Sequence, residues 1–207
     1  MAASGGTKAV LAALIANSGI AVAKFVGFTI TRSSAMLAEA IHSVADASNQ
    51  ALLLLGGRRA RRDPTPDHPF GHGRERYFWS FVVALVLFFV GAAFAIYEGI
   101  EKVRHPHEID GAGVAAVILV AGILLESWSL RTAVVEARPY RGNQSWWQFV
   151  LRSRNPELPV VLLEDVGAMA GLVLALAAIG LAEVTGEPRW DGVGTISIGL
   201  LLGSIAI

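Results

Sequence analysis

The chain of 207 residues contains no cysteine, which excludes disulfide bonds and metal sites built from thiolates. Charged residues are scarce as well: they make up 16% of the chain, against about 25% in ordinary soluble domains. Hydrophobic residues make up 54%, and they lie in long runs between clusters of charge. These features exclude an ordinary soluble core and predict a protein that crosses a membrane several times.

Two sequence patterns are missing from the chain. Residues 1–7 lack the basic region and the cleavage sequence of a secretory signal peptide, so we expect the first apolar run to be retained as a helix. A His-Glu-x-x-His run, which supplies the ligands and the general base of an intramembrane metalloprotease, is missing too. The chain is therefore not predicted to be an enzyme.

Six segments are apolar over a length that can cross about 30 Å of hydrocarbon as a helix. The predicted fold is therefore all-α, a polytopic bundle of six transmembrane helices. The predicted spans are residues 8–30, 33–56, 77–102, 110–134, 158–183 and 191–207.

Arginine and lysine predict the orientation, because they concentrate on the cytoplasmic side of a membrane. Twelve of the 17 basic residues lie on one predicted side: Lys8, six arginines within residues 58–76 and five within residues 131–154. Both termini are therefore expected to be cytoplasmic. The membrane is predicted to be the inner membrane of a bacterium.

The second predicted span carries Glu39, His42 and Asp46, and their spacing puts all three on one face of a helix. An ionisable side chain at mid-bilayer costs roughly 2.5–3.5 kcal/mol on insertion scales, so three of them need compensation. A carboxylate and an imidazole one turn apart can hold a divalent metal ion. The alternative for His42 and Asp46 is a buried hydrogen bond that joins two helices. Three roles are open to Glu39: a ligand, an entry-path residue or an acceptor for His42.

The fifth predicted span carries the adjacent acids Glu164 and Asp165 in an apolar run. Neighbouring residues on a helix point about 100° apart, so the two carboxylates cannot both face one site squarely. No basic residue at the centre of a predicted span is an obvious partner for two acids, and a cation from outside would compensate them. The alternative is a salt bridge inside the bundle. For Asn17 and Glu126, hydrogen bonds between helices are expected.

A second cluster of candidate ligands lies in the loop between the second and third spans. Its prolines exclude a helix, and the Phe-Gly step between His68 and His72 favours a turn that brings the two imidazoles together. Asp67 or Asp63 could complete a metal site there. The alternative is a capped loop that leads into the third span.

These motifs, in this order, resemble the transmembrane domain of the cation diffusion facilitator family, the zinc-transporter-type metal efflux proteins. The similar runs are residues 33–46, 68–76, 97–106 and 164–171. The resemblance implies a homodimer that exports divalent cations by alternating access, usually driven by inward proton flow. It also implies a cytoplasmic domain after the membrane domain, which is not expected in this chain.

The family's transport site uses two positions on the second span and two on the fifth. The resemblance assigns His42 and Asp46 to the first pair and Asp165 to the second. The remaining position is Val161, which cannot bind a metal ion. Glu164, a water molecule or Asn17 would have to supply the fourth ligand. The resemblance also assigns a loop metal site to His68 and His72, with Asp67 or Asp63 as the acidic member.

The predicted function is efflux of a divalent cation, most simply Zn²⁺, because a site that mixes histidine with carboxylates favours Zn²⁺ over Mg²⁺ or Ca²⁺. Protons are the predicted coupling ion, and no cofactor is expected. Mn²⁺, Fe²⁺ or Co²⁺ transport is one alternative, and a membrane scaffold with buried structural acids is another. The predicted partners are divalent ions, the lipid bilayer and a second copy of the chain, but not nucleic acid.

Overall fold

The computed structural model describes residues 5–107, 111–153 and 157–206. Within these ranges the regular structure is helical, apart from one isolated bridge between Thr65 and His68. A π-helical segment, Leu87–Ala93, joins the third and fourth helices into one continuous helix. The helices are α1 (Gly5–Thr31), α2 (Ser34–Ala60), α3 (Glu75–Val86), α4 (Phe94–Arg104), α5 (Ala112–Arg141), α6 (Trp146–Arg152), α7 (Glu157–Thr185) and α8 (Arg189–Ala206).

All six predicted spans correspond to helices, although the predicted ends at residues 110 and 207 lie outside the described residues. Three helices are long and apolar enough to cross a membrane: Tyr77–Arg104, Ala112–Arg141 and Leu158–Thr185. In the described part of the chain, α1, α2 and α8 do not meet this criterion of length and hydropathy. The all-α prediction is therefore confirmed, and three of the six predicted spans are supported by length and composition.

Glycine allows α8 to pack with its backbone in close contact with α4 and with the π-helical segment before it. A Cβ atom at Gly99 would lie 2.7 Å from the backbone nitrogen of Ile196, and one at Gly199 would lie 2.9 Å from the carbonyl oxygen of Ala92. Side chains do not tolerate such distances from backbone atoms, so any larger residue would push the two helices apart. Small residues are a common means of bringing helices together in lipid.

A residue of the last helix holds the start of α2. Asp191 is fully buried in the first turn of α8, and it accepts hydrogen bonds from the hydroxyl groups of Ser33 at 2.8 Å and Ser34 at 3.0 Å. It also accepts one from the backbone N–H of Ser34 at 2.9 Å. The first N–H groups of a helix lack partners within the helix and carry partial positive charge, so a carboxylate stabilises them. Asp191 thereby ties the start of α2 to the start of α8.

Two apolar clusters occupy different levels of the bundle. We name each after one of its residues. The Leu119 cluster contains Ala35, Met36, Ala92, Ala112, Ala115, Leu119, Leu172, Ala175, Ile179, Ile198 and Leu202. The Val83 cluster contains Leu53, Val83, Ala133, Ala137, Phe149, Val161 and Leu162.

Replacing Asp191 with alanine should destabilise the bundle. The change removes the acceptor for several buried donors, and leaving even one of them unpaired costs about 1–3 kcal/mol. Thermal unfolding in detergent, followed by tryptophan fluorescence, should show a lower midpoint for Asp191→Ala. Asp191→Asn, which keeps one carbonyl oxygen, should show a smaller decrease in the unfolding midpoint. An unchanged midpoint for the alanine variant would contradict the assigned role.

Candidate metal site within the membrane

A set of buried polar side chains lies between the two apolar clusters. Along α2, Met36 of the Leu119 cluster precedes the set, and Leu53 of the Val83 cluster follows it. Along α7 the order is reversed, with Leu162 before the set and Leu172 after it. We call this set the polar layer. It consists of His42, Asp46, Asn49 and Gln50 of α2, Glu126 and Ser129 of α5, and Glu164 and Asp165 of α7.

His42 and Asp46 lie side by side on α2, as their spacing predicts. Nε2 of His42 is 3.4 Å from Oδ2 of Asp46, but the pair does not satisfy the geometry of a hydrogen bond. Both side chains are buried, and neither ring nitrogen of His42 has a hydrogen-bond partner among the described residues. The same is true of Oδ1 of Asp46. These two residues therefore present unused metal-ligating atoms inside the bundle.

Glu164 and Asp165 point toward different neighbouring helices, as adjacent residues on a helix must. Oε1 of Glu164 accepts a hydrogen bond of 2.7 Å from the side-chain amide of Asn49 on α2. Oδ2 of Asp165 accepts one of 3.2 Å from the hydroxyl of Ser129 on α5. Oε2 of Glu164 has no hydrogen-bond partner in the described ranges. Glu164 thus faces α2, the helix that carries His42 and Asp46.

The polar layer is rich in acidic side chains. It contains four buried carboxyl groups, and Asp46 lies within electrostatic range of the other three, Glu126, Glu164 and Asp165, and of Lys24 on α1. None of the four forms an ion pair with a lysine or an arginine in the part of the chain that the structure describes. An uncompensated charge in a low-dielectric interior is costly, so this layer favours protons or a cation.

Glu39 has a partner that the sequence did not reveal. Nζ of Lys24 on α1 lies 2.9 Å from Oε2 of Glu39 and 2.8 Å from the hydroxyl of Ser43, and both charged side chains are almost completely buried. The other oxygen of Glu39 lies against Gly171 of α7, where a Cβ atom would come within 2.5 Å of it. The sequence signal for this ion pair was the presence of a lysine, Lys24, in an otherwise apolar predicted span. The ion pair engages Glu39 one turn before His42.

The predicted ligands lie in one layer, but they do not surround a common point at which an ion could bind. Among the described residues, no three histidine, aspartate or glutamate side chains are grouped so that they could hold a metal ion in this conformation. Val161 lies in the Val83 cluster, next to the polar layer but outside it. Asn17 is buried on α1, and its amide oxygen has no hydrogen-bond partner in the described ranges. An ion at this level would require side chains to move inward.

The loop between α2 and α3 brings two histidines together, as the sequence predicts. The rings of His68 and His72 are stacked with their centroids 4.5 Å apart. Paired backbone hydrogen bonds between Thr65 and His68 close the turn. Asp67 is exposed on the same loop. The loop thus places two imidazole rings side by side.

Comparison with known proteins identifies one family. A model described as the cation efflux transmembrane domain matches residues 10–207. The chain is 37% identical over 201 residues to the proton-coupled zinc antiporter SLC30A9, mitochondrial, of Xenopus laevis, covering 96% of this chain and 36% of that protein. The human protein of that name is 35% identical over 201 residues, covering 96% of this chain and 35% of its own length. Metal tolerance protein C4 of Arabidopsis thaliana is 33% identical over 202 residues, covering 97% and 44%. The chain thus spans about a third of the length of its animal relatives.

Replacing Lys24 with methionine should destabilise the protein strongly. The change leaves the carboxylate of Glu39 buried without its cation, and breaking a buried pair in this way costs about 3–5 kcal/mol. Chemical unfolding in detergent should measure the loss. Glu39→Gln added to Lys24→Met removes the stranded charge, so the double variant should recover much of the stability. Equal stability of the two variants would show that the ion pair is not what the methionine disrupts.

Proposed function

The chain belongs to the cation efflux family, and on that premise we propose that it forms the membrane domain of a divalent-cation efflux transporter. Zn²⁺ is the proposed substrate, and inward proton flow is the proposed driving force. The relatives named proton-coupled zinc antiporter support both parts of the proposal. The family resemblance inferred from sequence motifs is confirmed by the match to residues 10–207.

The observation that carries the proposal is the crowding of acidic side chains in the polar layer. Four carboxyl groups lie within one buried level, none of them has an ion-pair partner among the described lysines and arginines, and the buried Lys24 is paired with Glu39. Such a group has to be neutralised by a proton or by a cation. A site that alternately holds a divalent cation and protons needs acids of this kind, because they bind protons once the cation has left.

The proposed ligands are His42, Asp46 and Asp165, with Glu164 in place of the ligand missing at Val161. This set offers one imidazole nitrogen and carboxylate oxygens, a mixture that suits Zn²⁺ better than Mg²⁺ or Ca²⁺. The same set tolerates Mn²⁺, Fe²⁺ or Co²⁺, which remain the alternative substrates. Closure around the ion requires α2 and α7 to bring their polar side chains toward each other.

Proton coupling follows from the chemistry of these ligands. A metal ion binds carboxylates and imidazole only in their deprotonated forms, so a proton that binds one of these groups competes with the ion. In the proposed cycle, metal binds from the cytoplasm and displaces protons. The helices then expose the site to the other side, where protons displace the metal.

The remaining parts of the proposal concern the assembly. We propose six membrane spans, a homodimer embedded in lipid, and a bacterial inner membrane with both termini in the cytoplasm. Arginine-rich loops support that orientation. A loop site at His68 and His72, with Asp67 as the acidic member, would gather ions near the cytoplasmic entrance, and the proximity of the two rings supports it.

Neutralising the acids of the site should abolish transport. Asp46→Asn and Asp165→Asn each remove a charged ligand while keeping the shape of the side chain, so we expect at least a tenfold lower rate of Zn²⁺ uptake into proteoliposomes. Ser80→Ala serves as a control, since Ser80 is buried on α3 outside the polar layer. Full transport by both aspartate variants would disprove the assigned site and favour the structural alternative.

A proton gradient should drive uptake in one direction. With an acidic lumen and Zn²⁺ outside, protons leave as the metal enters, so uptake should be faster than without a gradient. An ionophore that exchanges protons for potassium should remove the difference. Acidifying the outer solution instead should slow the initial rate, because protons then compete for the ligands on the loading side. An uptake rate that is the same with and without the proton gradient would exclude antiport.

A further inference from the structure

Asn49 is a member of the polar layer for which the sequence motifs give no role. It lies on α2 one turn after Asp46, and it is fully buried. Its amide nitrogen donates to Oε1 of Glu164 at 2.7 Å. In this arrangement the amide nitrogen of Asn49 is the donor and the carboxyl oxygen of Glu164 is the acceptor. Oδ1 of Asn49 is therefore the free end of the group, and it has no hydrogen-bond partner among the described residues.

Among the unpartnered buried atoms of the polar layer, hydrogen-bond acceptors outnumber donors. Unpartnered buried oxygens include Oδ1 of Asp46, Oδ1 of Asn49, Oε2 of Glu126 and Oε2 of Glu164. Against them, the only unpartnered donors in the described part of the layer are the amide of Gln50 and the one N–H of a neutral His42. Side-chain rotation alone cannot satisfy such a set. Protons on the carboxyl groups can satisfy it, and so can a divalent cation, which binds several oxygen ligands at once.

The position of Val161 favours a ligand from α2. Its side chain belongs to the apolar Val83 cluster, so no polar group stands at the place where α7 would have supplied a fourth ligand. Glu164 is one turn further along α7, and its partner on α2 is Asn49. The contact between α2 and α7 at this level is thus an amide and a carboxylate, each with one free oxygen.

We propose that Asn49 is a substrate-binding residue of the transport site, whose amide oxygen binds the metal ion beside Glu164. The proposal rests on the function proposed above and extends its ligand set by one neutral oxygen. The amide nitrogen keeps its bond to Glu164, so the two residues enter the site as one unit. The binding set of His42, Asp46, Asp165, Glu164 and Asn49 then contains one nitrogen and otherwise oxygen.

This composition has a consequence for selectivity. Oxygen ligands suit harder ions such as Mn²⁺, and imidazole nitrogen suits Zn²⁺. An amide oxygen as a further ligand therefore lowers the preference of the site for Zn²⁺ over Mn²⁺. Changing Asn49 to histidine should raise that preference.

The test is a double-mutant cycle on the purified chain in detergent, with Zn²⁺ and Mn²⁺ binding measured by calorimetry. The variants are Asn49→Leu, Glu164→Ala and the two combined. If Asn49 binds the ion, Asn49→Leu weakens Zn²⁺ binding by about tenfold or more both in the parent and in Glu164→Ala. If Asn49 serves only to hold Glu164, the leucine has no effect once the carboxylate is gone, and the proposal is overturned.

Asn49→His gives a second, independent measurement. We expect the ratio of the Mn²⁺ Kd to the Zn²⁺ Kd to rise at least severalfold, and an unchanged ratio overturns the proposal. Because the histidine variant keeps a polar side chain at this position, it remains informative if the leucine variant does not fold. Ser80→Ala is the matched control for the loss of a buried, unpartnered polar atom and should bind both ions as the parent does.

Failure of this proposal differs from failure of the proposed function. If the parent chain binds no Zn²⁺, or if Asp46→Asn binds it as well as the parent, the transport site itself is wrong. If Asp46→Asn abolishes binding while Asn49→Leu does not weaken it, the site stands and only the role of Asn49 is disproved.

Discussion

The repulsion among four carboxylates buried at one level of the bundle is the constraint on which the rest of the site depends. A low-dielectric interior would expel or protonate such a group unless nearby atoms compensated it. The surrounding residues provide only part of that compensation: the amide of Asn49 serves Glu164, and the hydroxyl of Ser129 serves Asp165. The one buried lysine near the layer is engaged by Glu39. The remaining deficit favours a bound proton or cation at this level.

The apolar clusters explain why this charge stays confined. Along α2 and α7 the Leu119 cluster lies on one side of the polar layer and the Val83 cluster lies on the other. The proposed transport cycle needs apolar packing of this kind, because a site open to both sides at once would leak. Each cluster is built mainly of alanine and branched aliphatic residues, whose contacts are non-directional and can rearrange without loss of hydrogen bonds.

Much of the fold followed from the sequence, since long apolar runs have few alternatives to a helix in lipid. The stripe of His42 and Asp46 followed from helical periodicity, and the divergence of Glu164 and Asp165 followed from the 100° step. The hydrogen-bond and ion-pair partners of these side chains did not follow from the sequence. Lys24 and Glu39 join two consecutive helices, whereas Asn49 with Glu164, and Asp191 with the start of α2, join helices that are distant in the chain. Periodicity describes which face a residue occupies on its own helix, but it does not tell which helix that face meets.

The bond between Asp191 and the first turn of α2 has a consequence for motion. Because hydrogen bonds to Asp191 join the first turns of α2 and α8, a displacement of that end of α2 also displaces α8. The opposite end of α2, beyond the polar layer, is packed as well: Gly56 lies against Trp79 of α3, and an added Cβ atom there would come 2.7 Å from the tryptophan side chain. A tilt of His42 and Asp46 relative to α7 would therefore carry α3 and α8 along with α2.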